Sequence, residues 1–277
     1  MLKDLLVHLE GNKEDEIRLA YAELIASQHQ AFLTGLYCNL VPDNTYMSGG
    51  VMAATGAIVA MQEAAIKEGD TAEKKLKKQL DNLSINTELR RLDLTQSQAG
   101  QVMTAEARTC DLMIATRPYN HHSASPELLE AVLFNSGRGC LFVPPAIKPP
   151  KKIDNILLAW RNRRETARAV AEAMPLMRAA GKVTIAMVSE GDGSNLQDKM
   201  PGADIARHLD RHGVNAEIRH IKKWKKIGDA LLNEAERTNS KMLVMGGYGH
   251  SRFREWVMGG ATRDILSNAQ IPILISH

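Results

Sequence analysis

An internal repeat constrains this chain more than any other feature of its sequence. Asn86-Thr87-Glu88-Leu89-Arg90 is echoed by Asn215-Ala216-Glu217-Ile218-Arg219. Arg108-Thr109 ahead of Leu112-Met113-Ile114 is echoed by Arg237-Thr238 ahead of Met242-Leu243-Val244. The echoes keep their order, which divides the 277 residues into units at 1–146 and 152–277. Between them stand Pro144-Pro145 and Pro149-Pro150. Proline cannot continue a sheet ladder and holds its neighbours extended, so this stretch reads as a linker between two cores.

Each unit alternates strand and helix patterns. In the first, Leu5–Leu9 reads as a buried strand, and Ile17, Ala20, Tyr21, Leu24 and Ile25 form the stripe of an amphipathic helix. Phe32–Cys38 gives a second strand, closed by Pro42-Asp43-Asn44. A long helical region from about 45 to 83 follows, with a break expected at Gly69-Asp70. Then come a strand at Thr87–Leu92, a helix at Gln96–Arg108, a strand at Leu112–Ala115, a helix at Glu127–Phe134 and a strand at Cys140–Val143. The second unit restarts with Ile153–Trp160, a stripe of Ala167, Val170, Ala171 and Met174, and Val183–Val188. Such alternation calls for an α/β fold, two doubly wound parallel sheets with helices on both faces and right-handed crossovers. Ligands of such sheets sit beyond the carboxyl ends of the strands, where the strand order reverses.

The stretch that leaves the fourth strand of the second unit carries the chemistry. Met242–Met245 is apolar, Gly246, Gly247 and Gly249 follow, and Gly259-Gly260 precede a helical segment from Ala261 to Leu266. Glycines there let a ligand approach bare main chain, and a helix start adds unpaired N–H groups that suit an anion. The spacing is neither a Rossmann fingerprint nor a Walker loop. Gly246, two residues, Gly249, nine residues and Gly259, flanked by Gly249-His250-Ser251, resembles the nucleotide-binding signature of the universal stress protein family. One departure is Gly260, where the family usually has Ser or Thr.

That resemblance extends over nearly the whole chain and implies two five-stranded sheets of order 3-2-1-4-5. It further implies pairing through the last strands, within the chain or as a homodimer, and an ATP or other adenine nucleotide ligand, with or without Mg. It places phosphate and ribose at Gly246, Gly249, Gly259, Gly260, Ala261 and Thr262, with Met245 and Tyr248 on the ribose side and His250 over the phosphates. It places adenine at Ala159-Trp160-Arg161 and Val188. Arg161 stands where the family usually has an acidic or amide residue, and arginine cannot accept a hydrogen bond from an adenine amino group, so another phosphorylated ligand stays open.

The repeat sets Thr116 at the position of Gly246, Tyr119 at that of Gly249 and Leu128 or Leu129 at that of Gly259. Side chains there would fill the space a phosphate needs, so the first unit is expected to bind no nucleotide in the family manner. His121-His122 reads as an exposed loop pair, and Ser136-Gly137-Arg138 as a turn or the lining of a different cleft. Arg252, Arg254 and Arg263 lie near the glycines, and Lys222–Lys226 reads as a solvated connection in preference to a nucleic-acid contact. Cys38, Cys110 and Cys140 are scattered and odd in number, which fits buried thiols of a reducing cytosol. A net charge of +3 gives no argument for nucleic acid, and Val51–Met61, the most apolar run, falls short of a membrane span. No leader or metal site is expected. The chain reads as a cytoplasmic regulatory protein without an assigned catalytic residue, with slow ATP hydrolysis and a ligand-free dimerising scaffold as the other readings.

Overall fold

A computed structural model describes residues 1–43, 52–119, 126–188, 202–222, 224–247 and 260–277. The first half runs β1 (Asp4–Leu9), α1 (Asp15–His29), β2 (Phe32–Leu40), α2 (Met52–Asp81), β3 (Thr87–Leu94), α3 (Gln96–Ala107), β4 (Leu112–Thr116), α4 (Pro126–Asn135) and β5 (Gly139–Val143). The second runs β6 (Asn155–Ala159), α5 (Arg164–Ala179), β7 (Lys182–Val188), α6 (Ala203–Arg211), β8 (Ala216–Ile221), α7 (Ile227–Arg237), β9 (Met242–Gly246), α8 (Gly260–Asn268) and β10 (Ile273–Ser276).

The strands build one ten-stranded sheet in the order β3-β2-β1-β4-β5-β10-β9-β6-β7-β8. Read from its own edge, each half has the order third, second, first, fourth, fifth. Pairing is parallel within each half, and the halves meet where β5 and β10 run antiparallel, with Phe142 opposite Ile273 and Leu141 opposite Leu274. The expected pairing of last strands therefore occurs inside the chain. The central strands are near-continuous apolar runs because both faces are covered. One apolar layer joins Leu5, Val7 and Leu9 to residues of α1, α2, α5 and α6. The other joins Leu6, Met113 and Ile275 to residues of α3, α4, α7 and α8. Each layer runs unbroken across both halves.

The sequence-based elements fall within a few residues of those observed, with one correction. No break occurs at Gly69-Asp70: α2 continues from Met52 to Asp81. The glycine serves a close approach instead. A Cβ on Gly69 would lie 2.5 Å from the Asn39 side-chain nitrogen and 2.6 Å from an Arg91 guanidinium nitrogen. Helix α2 thus presses on the ends of β2 and β3 at the one place where a side chain would hold it off. The three cysteines are free and buried.

Candidate functional site

In the second half, β6 and β9 are neighbours, yet α5 covers one face of the sheet and α8 the other. In doubly wound sheets such divergence marks the ligand position, here the carboxyl ends of β6 and β9. Ala159 ends β6 half-buried, and the Trp160 N–H donates to the Ala186 carbonyl at 2.9 Å, which ties the chain to β7 as it turns away. The Trp160 ring packs on the apolar layer below α5, while Arg161 is exposed. Val188 is half-buried at the end of β7, and Met245 is buried beside Ala159, its partner in register. The Ala159-Trp160-Arg161 segment, Val188 and Met245 lie at one end of the sheet, Trp160 on the α5 side and Ala159, Val188 and Met245 on the other.

The described glycines divide into two kinds. A Cβ on Gly246 would lie 2.5 Å from the Thr166 nitrogen and 2.6 Å from the Glu165 carbonyl carbon, backbone atoms in the first turn of α5. Its bareness is required by a helix and not by an open cup. Gly247 is also filled from the protein side: a Cβ there would meet Ile275 at 2.7 Å, and its N–H donates to the Ser276 carbonyl at 2.9 Å. Gly260 differs. It is exposed, opens α8, and among the described residues nothing lies within 4 Å of the position a Cβ would take. With half-buried Ala261 and buried Thr262 it forms a first helical turn, whose N–H groups have no partner inside the helix and carry the positive end of its dipole. Tyr248, Gly249, His250, Arg252, Arg254 and Gly259 lie outside the described residues.

The corresponding end of the first half holds a buried charged cluster. Strand register sets Thr116 at the position of Gly246, Glu10 at that of Arg161 and His8 at that of Ala159. The buried positions of α1 match those of α5 when Asp15 is set against Thr166 and Arg18 against Ala169. Where the second half has a methyl group, the first therefore buries a guanidinium. Arg18 bonds Glu10 at 3.0 Å and Asp15 at 2.6 Å and donates to the Asn12 side chain at 3.0 Å. Burial, aided by the positive charge of Arg18, lowers the His8 pKa to about 3. Burial also raises the Glu10 carboxyl, against the opposing pull of Arg18. Leu128 and Leu129 are buried in the core beneath α4.

Tyr119 is buried as well, for a reason the repeat alone does not reveal. The Arg263 guanidinium of α8 lies 5.6 Å above its ring, and its hydroxyl donates to Glu130 of α4. Arg117, 8% exposed, reaches across the halves and donates to the Leu266 carbonyl in the last turn of α8 at 3.1 Å. At the chain end, the His277 ring meets Phe134 edge-on at 4.8 Å and lies 3.3 Å from the Gly247 carbonyl. The first half thus meets α8 at Arg263 and Leu266.

Residues 152–277 match the family model described as the universal stress protein family. The second half is a universal stress protein domain. The fold likeness extends over both halves. A universal stress protein from Archaeoglobus fulgidus DSM 4304 superposes with a TM-score of 0.65 at 14% identity, over 99% of this chain and 95% of that one. A functionally unknown protein from Pseudomonas aeruginosa PAO1 gives 0.57 at 17%, over 99% and 92%. No curated protein sequence matches the chain.

Against this universal stress fold, Arg117 and the Arg18 cluster are what sequence reasoning missed. Arg18 has a visible trace, since an arginine stands in the apolar stripe of a helix at a position where the second repeat has alanine. Arg117 follows a strand and precedes a proline, and its partner is 149 residues away, so nothing local announces it. Ser136-Gly137-Arg138 is a turn: Gly137 has φ +74°, and the Arg138 N–H donates to the Ser136 hydroxyl. The Gly137 carbonyl also accepts from Arg168 at 2.6 Å, which adds a tie between the halves. Among the described residues, no helix is long and apolar enough to cross a membrane.

Proposed function

We propose that the second half binds an adenine nucleotide, ATP or a close relative, with its phosphates at the N-terminus of α8. Through that site the chain acts as a nucleotide-responsive regulatory protein of a stress response. The observation that carries the reading is the space that the described residues leave over Gly260, at the head of a helix, at the switch point of a domain matching the family model. A helix start there supplies unpaired N–H groups and a positive dipole end, the two things a phosphate needs from a protein without a fixed cation. Ala159, Val188 and Met245, on the same side of the sheet as α8, offer an apolar side for a ring. Arg161 cannot accept from an adenine amino group but can pair with a phosphate or ribose oxygen. A Mg ion would arrive with the phosphates, as is usual for that ion. The first half carries no such site in this reading, because Tyr119 and Leu128 or Leu129, all buried, stand where Gly249 and Gly259 stand in the second.

The test is thermal unfolding with millimolar ATP, ADP and AMP. A ligand bound only by the folded chain stabilises it by about 2.7 kcal/mol at a hundred times its dissociation constant. A rise in the melting temperature supports the reading, and no response to any of the three overturns it. A ligand-free scaffold is the second reading, favoured by the packing that fills Gly246 and Gly247. It gives that flat response.

A further inference from the structure

The far edge of the sheet in the second half holds a cavity that the nucleotide reading does not use. It has a volume of about 340 Å³ and lies between the end of β8 and one face of α7. Arg219, His220, Lys222, Trp224, Asn233 and Arg237 line it, and Trp224 leaves 45% of its surface open. Three cationic side chains, Arg219, Lys222 and Arg237, line it with one carboxylate, Glu234, and Glu217 outside the lining meets Arg219 at 3.3 Å. Glu234 is itself buried and paired with Arg237 at 3.0 Å.

The matching edge of the first half shows how such a surface looks when it is closed. Register sets Arg90 and Arg91 of β3 at the positions of Arg219 and His220 of β8, and Asp93 at that of Lys222. Arg90 is held by Glu88 and Glu106, and Arg91 by Asp70, Glu73 and Asp93. That edge neutralises its own charge. In the second half Arg219 keeps the pairing of Arg90, with Glu217 at 3.3 Å in the place of Glu88, but a lysine replaces Asp93 and a tryptophan follows two residues on.

We infer that this cavity is a binding site for a small anion joined to a flat ring. The ring stacks on Trp224, and the anion is held by Arg219 and Lys222. The volume is at the lower end of small-molecule sites. Its lining pairs an exposed aromatic face with a local excess of positive charge, and each meets one part of such a ligand.

The test follows the Trp224 indole N–H signal by NMR, assigned with Trp224→Phe, during titration with phenyl phosphate and with benzoate. Inorganic phosphate and benzyl alcohol serve as the ringless and uncharged arms. At least one aryl anion should shift the signal saturably, with inorganic phosphate at least tenfold weaker and benzyl alcohol silent. The double variant Arg219→Ala, Lys222→Ala should weaken the aryl anion at least tenfold, as should Trp224→Ala read on neighbouring amide signals. All three side chains are exposed or at the surface, so the variants should fold. The inference is overturned if neither aryl anion gives a saturable shift, if binding survives the variants, or if phosphate alone binds equally well. A shift produced only by a short oligo-dT strand would overturn it too, in favour of a polymer site.

Discussion

Gly260→Glu separates the nucleotide site from the stability of the helix that carries it. Among the described residues nothing lies within 4 Å of the new Cβ, so none of them resists the substitution. Replacing glycine in a helix stabilises it by up to about 1 kcal/mol. A carboxylate in the first turn adds about 0.3–1 kcal/mol through the dipole. The unliganded variant should therefore melt about 2–4 °C higher for each kcal/mol gained. Bound phosphate would feel the reverse. Two unit charges 4 Å apart repel by about 4 kcal/mol at an effective dielectric near 20, and the exposure of Gly260 lowers that figure. A loss of at least about 1.4 kcal/mol, tenfold in affinity, should remain. Calorimetric titration with ATP alongside thermal unfolding reads both effects. An unchanged ATP affinity in a variant that melts higher would show that the phosphates do not sit at α8.

Gly246→Ala should destabilise by about 1–3 kcal/mol, since its Cβ meets backbone of α5 that cannot turn aside; urea unfolding measures it. Arg117→Met should remove the tie from the first half to the last turn of α8, seen as faster amide exchange in residues 262–266 with the core strands unaffected. Acid should weaken the fold through His8. Below about pH 6.5 the unfolded chain takes up a proton that folded His8 refuses until about pH 3, so stability falls with pH by at most about 1.4 kcal/mol per unit. His8→Ala should flatten the slope of melting temperature against pH between 6.5 and 4.5. Glu10, raised by burial, works in the opposite sense and does not produce that slope.

The fold was legible because its signals are periodic and doubled. Strand runs such as Leu112–Ile114 and Met242–Val244 are buried on both faces, so their composition alone marks them, and each half corroborates the other. Gly69 misled because a glycine inside a helical pattern has two physical causes, a break or a close contact, and only the position of Asn39 and Arg91 decides between them. Gly246 carries the same ambiguity in the site itself. Its spacing fits a phosphate loop, and its surroundings show a helix turn pressed against it. Gly260 differs, with no described residue within 4 Å of the position a Cβ would take. Contacts between the halves, Arg117 to Leu266 and Arg263 over Tyr119, were not legible, since they join residues more than a hundred positions apart with no shared pattern.

Amide spectra recorded with and without ATP test the placement of the ligand most directly. The account predicts that Gly260, Ala261 and Thr262 move on addition of ATP, together with Trp160 and Val188, while residues 8–18 of the first half stay still. Shifts confined to the Thr116–Tyr119 turn and the Arg18 cluster, with α8 unmoved, would contradict it.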